Sequence, residues 1–219
     1  LLPARSRQFE LGVKAELGAN WRTNLAVFQA GTRDEIAVLS NTGGRSVFQN
    51  VGRTLRQGLD ASLTGPLGHD LWWYAALATL DARYRDSFLT CTAAPCKTPS
   101  VEVPAGKRIP GIPDLTFYTE LQWRPQASGF ETAVEFRQVG KVAVDDRNTD
   151  AAPAYGVVNL RVSWTQKAGG WTLREFARLD NLADRHYAGS VIVNEGNSRF
   201  FEPAPGRTWL LGLNAGYTF

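Results

Sequence analysis

A two-residue rhythm closes the chain. In residues 206–219, GRTWLLGLNAGYTF, one side of an extended backbone carries Trp209, Leu211, Leu213, Ala215, Tyr217 and Phe219. The other side carries Thr208, Leu210, Gly212, Asn214, Gly216 and Thr218, mostly small or polar. A period of two makes this a strand with one greasy face. Aromatic rings sit near both ends of that face, and the last residue is itself aromatic. A soluble sheet rarely places an aromatic ring on a frayed end. A strand crossing a bilayer does so, with its apolar side to lipid, its small polar side to a lumen and rings at each interface. From Trp209 to Tyr217 the strand rises roughly 26 Å. Tilted by about 40°, it covers roughly 20 Å of membrane normal, close to the apolar band of an outer-membrane barrel.

Bulk properties permit this reading. The chain has 219 residues, 43% of them hydrophobic, and a mean hydropathy of −0.24. The longest apolar run, residues 71–80 (LWWYAALATL), is far too short for a transmembrane helix. Barrel strands are only half apolar and leave no such run. A net charge of +3 with the two signs mixed points away from nucleic acid as a partner. The chain has no Met and begins LLPARSRQF without a signal-peptide pattern, which predicts a mature or truncated piece of something longer. Cys91 and Cys96, in a Pro/Thr/Ala loop, have the spacing of a small disulfide loop in an oxidising compartment. With two cysteines and two histidines, the sequence predicts no metal site.

Read in order, the alternation returns in nine segments: 9–17, 21–37, 47–64, 71–86, 114–124, 130–144, 155–165, 171–193 (kinked near 181–184) and 206–219. The eighth has an unclear register, because strict alternation from Trp171 places Glu175 among apolar residues. The connections alternate short and long. Trp21, Trp123, Phe130, Trp164 and Trp171 edge the short ones, as in a barrel with short periplasmic turns, an aromatic girdle and longer outer loops. The predicted fold is all-β, a transmembrane antiparallel up-and-down barrel. Nine strands alone would leave two open edges in hydrocarbon, so the expectation is the C-terminal part of a larger barrel.

Several residues then resemble a family. Asn50-Val51-Gly52-Arg53 with Gly58-Leu59-Asp60 resembles the NxGxxxxxGxE strand of TonB-dependent outer-membrane receptors. Residues 181–187, with Asn181, Leu182, Asp184 and Tyr187, resemble their NLFDKxY segment. Pro205, Gly206 and Arg207 before the terminal strand resemble their PGR hairpin, and Glu10, Gly12 and Lys14 their ExGxK strand. Asp60 replaces Glu and Ala183 replaces Phe. The ordered set covers most of the chain and is most similar to the ferric-siderophore branch. The resemblance implies a 22-stranded barrel with an N-terminal plug, of which this chain is about the last nine strands. It also implies uptake of a ferric-siderophore or similar scarce ligand, energised through TonB by way of the missing N-terminal region. The chelator supplies the iron ligands, so no cofactor is expected. Phe219 resembles the terminal signal read by the barrel-assembly machinery.

Such a receptor needs a rim for a bulky, often anionic complex, which Arg and aromatic side chains suit. The outer-side candidates are Arg33, Arg45, Tyr84, Arg85, Lys107, Arg108, Tyr155, Arg199 and Phe200. Each could instead be a solvated loop charge or a contact to lipopolysaccharide phosphates in the surrounding outer-membrane lipid. Inward charges (Glu10, Lys14, Glu16, Glu120, Glu131, Glu135, Arg137 and Arg161) are expected to line a wet lumen and pair across strands or against the plug. Catalysis is not expected: Asp184, His186 and Ser190 supply no nucleophile arrangement, and no G-x-S-x-G occurs. Two other readings remain at this point. One is a barrel without TonB coupling, such as an autotransporter translocator, porin or adhesin. The other is a soluble β-sandwich, which a detergent-free monomer would reveal.

Overall fold

The computed structural model describes residues 1–18, 20–91 and 98–219. Its frame is one nine-stranded antiparallel sheet whose strands neighbour each other in chain order. These are β1 (Arg5–Leu17), β2 (Trp21–Arg33), β3 (Thr54–Gly68), β4 (Leu71–Tyr84), β5 (Leu115–Trp123), β6 (Phe130–Val139), β7 (Tyr155–Ala168), β8 (Trp171–Asp180) and β9 (Thr208–Tyr217). The all-β, up-and-down architecture is the one the alternation predicts. Short connections lie at one end of the sheet and the long segments 34–53, 85–114, 140–154 and 181–207 at the other.

Burial is inverted relative to a soluble sheet. Leu211, Leu213, Leu11 and Val13 are 75%, 67%, 75% and 61% exposed. The cross-strand register explains why. One row runs Leu121, Val134, Leu160, Leu179, Trp209 and the next Trp123, Thr132, Val162, Ala177, Leu211. Both are nearly all apolar and lie on the outward face. The opposite face carries Glu120, Glu135, Asn159, Arg161, Arg178 and Asn214. A bilayer rewards that arrangement and water does not. Trp21 and Trp73 meet edge to face at 6.0 Å, Trp123 and Phe130 edge to face at 5.9 Å, and Trp171 and Tyr217 tilted at 5.1 Å, all at the short-turn end.

Among the boundaries that differ from the sequence reading, three have a clear local reason. The second strand stops at Arg33, not residue 37, because Asp34 takes φ +55° and turns the chain out of the sheet. Residues 36–50 then form their own hairpin, Ile36–Thr42 against Arg45–Asn50, and the third strand begins at Thr54 after Gly52 at φ +79°. The eighth strand ends at Asp180. Asn181 at φ +52° breaks it outright instead of kinking it, and Ala188–Val191 pairs with Phe201–Pro203 in a separate hairpin. Strict alternation does hold through β8, so Glu175 lies on the outward face, opposite Trp164 and Leu213.

The outer loops hold a hydrophobic core of their own. Val51, Tyr84 and Val103 are buried, with Ala37, Phe88 and Ile109 packed against them.

Candidate functional site

The four long segments knit into one cap. The Tyr84 hydroxyl donates to Asp146 Oδ1 at 2.6 Å, and its ring meets Phe88 edge to face at 4.7 Å. Asn194 donates Nδ2–H to Asp146 Oδ2 at 2.8 Å and to the Val38 carbonyl, while its Oδ1 accepts from the Asp146 amide. The Asp146 carboxylate of segment 140–154 thus takes bonds from the outer end of β4 and from Asn194 of segment 181–207, and Asn194 in turn holds Val38 of segment 34–53. Backbone bonds reinforce the junction: Asn41 N–H to Asn194 O, Asn194 N–H to Val144 O and Gly111 N–H to Ala143 O. Burial pushes the Asp146 carboxyl up from its ordinary value, against the pull of the Tyr84 and Asn194 hydrogen bonds.

Beside this junction lies a recess of about 240 Å³ whose walls include Thr90, Asp145, Arg147, Glu195, Ser198 and Phe200. Of the expected rim residues, Phe200 lines the recess, and Arg199 and Arg45 are exposed at loop positions. Arg108 donates Nη2–H to the Leu80 carbonyl at 3.2 Å and lies within 4.0 Å of Asp81 and Asp114. Tyr155 stacks on Tyr187 with centroids 4.0 Å apart. Tyr84 is 1% exposed, so its ring serves the loop core and offers a ligand no surface. Arg33 and Arg85 line a different recess with Arg53, Gln29, Gly31 and Leu55, on the outward side of the sheet. Cys91 is disulfide-bonded; Cys96, its expected partner, lies outside the described residues.

The motif residues act as scaffold. Asn50 ties the cap down, donating to the carbonyls of Leu2 and Asp34 and accepting from the Leu2 amide. Asn181, 4% exposed, donates to the Arg185 carbonyl and accepts from the Arg185 amide, closing a turn with its own side chain. Asp184 accepts from the Arg207 amide at 2.8 Å, joining the exit of β8 to the Pro205-Gly206-Arg207 entry of β9. The Phe28 ring lies over Gly58, where a Cβ would collide with it.

On the inner face, Arg178 grips Glu135 through both terminal nitrogens at 2.9 and 2.7 Å, with Asp180 at 2.8 Å on its Nε. Arg161 sits among Glu120, Glu131 and Glu135 at 3.4, 3.9 and 4.0 Å. Four of the expected inward charges thus pair across strands. The others, Glu10, Lys14, Glu16 and Arg137, form no ion pair among the described residues. Glu10, Lys14, Arg137 and Asp60 instead rim a concavity of about 700 Å³ on the β1–β6 wall, floored by the small residues Gly12, Ala26, Ala76 and Ala78.

A half-paired polar wall on one face, an apolar face on the other and a tied loop cap describe a sector of a β-barrel. Residues 1–182 match the family model described as "TonB dependent receptor-like, beta-barrel". The chain belongs to that family. Its fold recurs in solved structures at low identity. The ferric preacinetobactin receptor BauA of Acinetobacter baumannii aligns at 17% identity and a TM-score of 0.71, over 96% of this chain and 29% of that one. The siderophore receptor PiuA of the same organism aligns at 17% and 0.73, over 96% and 28%. The copper transporter OprC aligns at 18% and 0.66, over 100% and 32%. The chain thus spans just under a third of the length of these solved proteins. The family is one of outer-membrane receptors and transporters.

Proposed function

We propose that the chain is the late-strand sector of an outer-membrane receptor that takes up a scarce metal complex of ferric-siderophore type, driven by TonB. The observation that carries this reading is the family match combined with a cap in which the four outer segments are tied together around the buried Asp146 and Asn194, beside an open recess. A tied cap suits reversible capture of a ligand at the cell surface. The unspent charges Glu10, Lys14, Asp60 and Arg137 support a second polar body inside the lumen, the plug through which TonB would act. The recognising residues are proposed to be Arg45, Lys107, Arg108, Tyr155, Arg199 and Phe200; Tyr84 leaves that set because it is buried, and Arg33 and Arg85 leave it because they face outward. Phe219 is proposed as the terminal contact for the barrel-assembly machinery.

The test is uptake by cells lacking their own receptor but carrying the full-length protein. Radiolabelled ferric siderophores of catecholate, hydroxamate and mixed type are offered with and without a proton-motive force. Accumulation of one class that stops when the force is collapsed supports the reading. Uptake of free copper and of no ferric chelate would move the cargo, and uptake indifferent to the force would remove TonB coupling.

A further inference from the structure

The turn at residues 194–198 holds an acid with no partner for its charge. Asn194 and Ser198 take φ +53° and +62°, and the Ser198 amide donates to the Glu195 carbonyl at 3.2 Å. The backbone is pinned on both sides of Glu195. Asn194 N–H donates to the Val144 carbonyl at 3.0 Å, and Gly196 N–H to the Asn41 carbonyl at 2.9 Å. The Glu195 side chain is thereby held under the cap, and the residue is only 8% exposed. Its Oε1 is buried without a hydrogen-bond partner among the described residues, and the residue forms no ion pair among them. Glu195 lines the recess of about 240 Å³ with Ser40, Thr90, Asp145 and Phe200, while the wall residues Arg147 and Ser198 are exposed. A desolvated carboxyl oxygen without a donor is unfavourable until a donor arrives.

We propose that this recess binds an organic primary ammonium group. Such a group carries donors only and needs several acceptors around it. The recess supplies the empty Glu195 oxygen, the Ser40 and Thr90 hydroxyls and the Asp145 carboxylate, and the Phe200 ring offers the kind of face on which cations rest. A metal ion suits the wall less well. Among the described residues no three acidic, histidine or cysteine side chains converge to hold one. Asp146 already accepts from Tyr84 and Asn194, and Asp145 from Thr149. An anion suits it less well again, because the wall carries Asp145, Asp146 and Glu195 against the single arginine Arg147. The volume lies below the roughly 300–1,000 Å³ of pockets that enclose a whole drug-sized ligand, so the occupant is an aminoalkyl arm or a small free amine. The ammonium site stands apart from the transport reading. That the ammonium is an arm of the cargo, whose anionic part meets the arginine rim, rests on it.

The experiment uses the full-length protein in detergent micelles and fluorine NMR of fluorobutylammonium, with fluorobutanol as the neutral probe. The wild type is expected to broaden the ammonium line and leave the alcohol line sharp. Glu195→Gln keeps the shape and removes the charge, and should weaken ammonium binding about tenfold or more, the loss expected for a charge-assisted bond. Phe200→Leu should weaken it about two- to fivefold. Equal broadening of the two probes, or undiminished binding in Glu195→Gln, overturns the proposal. Should Glu195→Gln lose the folded band on unboiled gels, hydrogen exchange on the wild type decides. Saturating fluorobutylammonium should slow the amides of residues 194–198 and fluorobutanol should not; absence of that protection overturns the proposal. A ferric trihydroxamate bearing a terminal amine, offered against its N-acetylated form, then identifies the source. Preference for the free amine makes the ammonium an arm of the cargo. Equal binding of the two, or binding of neither, with fluorobutylammonium still bound makes it a separate small amine, and both outcomes uphold the site. Uptake that ignores the proton-motive force leaves these readouts unchanged, so the two readings fail separately.

Discussion

Glu175 and Leu213 face each other across β8 and β9 on the outward side, and that pairing sets the energetics of both positions. Gln166 donates to Glu175 Oε1 at 3.1 Å, while Oε2 is buried without a hydrogen-bond partner among the described residues. A carboxylate so placed costs more than a packed apolar side chain of similar size. Glu175→Leu is therefore expected to be neutral or stabilising in urea unfolding of the full-length barrel in vesicles; a loss above about 1 kcal/mol would mean that the carboxylate has a structural partner. Leu213→Arg, by contrast, places a cation on the lipid face, at a cost of about 2–4 kcal/mol near mid-depth. Because Glu175 stands opposite, the wild-type background should soften that cost, and the Glu175→Leu background should restore it. Equal costs in both backgrounds would show that the two side chains do not meet. One residue away the rules change. Gly212 faces inward beneath the Phe176 ring, and a Cβ there would fall inside it. Gly212→Ala should cost stability by displacing that ring, with no dependence on bilayer thickness.

At the scale of elements, the loop cap depends on one buried acid, and its pH response follows from the sign of the shift. The Asp146 carboxyl is raised above its ordinary value by burial. A raised acid binds its proton more tightly when folded, so its contribution to cap stability falls as pH rises through the window above the ordinary value of about 3.9. Tyr84→Phe removes the hydroxyl that donates to Asp146 and should loosen the cap by about 1–3 kcal/mol, the larger end applying where the carboxyl is ionised. The penalty should shrink on acidification, as seen in hydrogen exchange of residues 144–146 and 194–196; a pH-independent penalty would contradict the assignment. At the edge of the cap the sign is opposite. The Arg53 guanidinium and backbone amide hold the Asp86 carboxyl below the ordinary range, so that latch is intact at neutral pH and releases only as pH falls through its lowered value. Thiol labelling tests the Cys91–Cys96 loop, and reagent should attach only after reduction. The long strands were legible in the sequence because a bilayer enforces a period of two, and Phe117, Leu121, Val134 and Leu160 fall where the period puts them. The hairpins of the cap were not. Their breaks depend on backbone angles at Asp34, Gly52 and Asn181 and on Asp146 meeting side chains distant in sequence, none of which has a period. The outward address of Arg33 was hidden for a related reason: an arginine beyond the apolar stripe reads as a loop charge until register carries the stripe's parity up to it.

At the scale of the whole molecule, the sheet ends in two unlike edges. β1 and β9 each pair on one side only and not with each other. Each presents a row of backbone N–H and C=O groups at membrane depth, where every unpaired group costs several kcal/mol. We propose that further strands and a plug complete the barrel, with these nine as its last portion, in keeping with the share of the solved receptors that the chain covers. The inner wall points the same way. Glu120, Glu131, Glu135, Arg161 and Arg178 on β5–β8 pair among themselves, whereas Glu10, Lys14, Asp60 and Arg137 border a concavity that another polar body would fill. The expected outcome for this chain refolded alone in detergent is a species that aggregates or runs as an oligomer and is cut rapidly within β1 or β9. Refolded with the remaining strands as a separate polypeptide, it should give a heat-modifiable, protease-resistant band with both pieces in equal amounts. Edge disulfides would locate the seam: a cysteine at Val13 or Leu211 should cross-link to the partner piece and not to a second copy of this chain. Cross-linking of Val13 to Leu211 within one copy would mean that nine strands close on themselves, and the larger barrel would have to be abandoned.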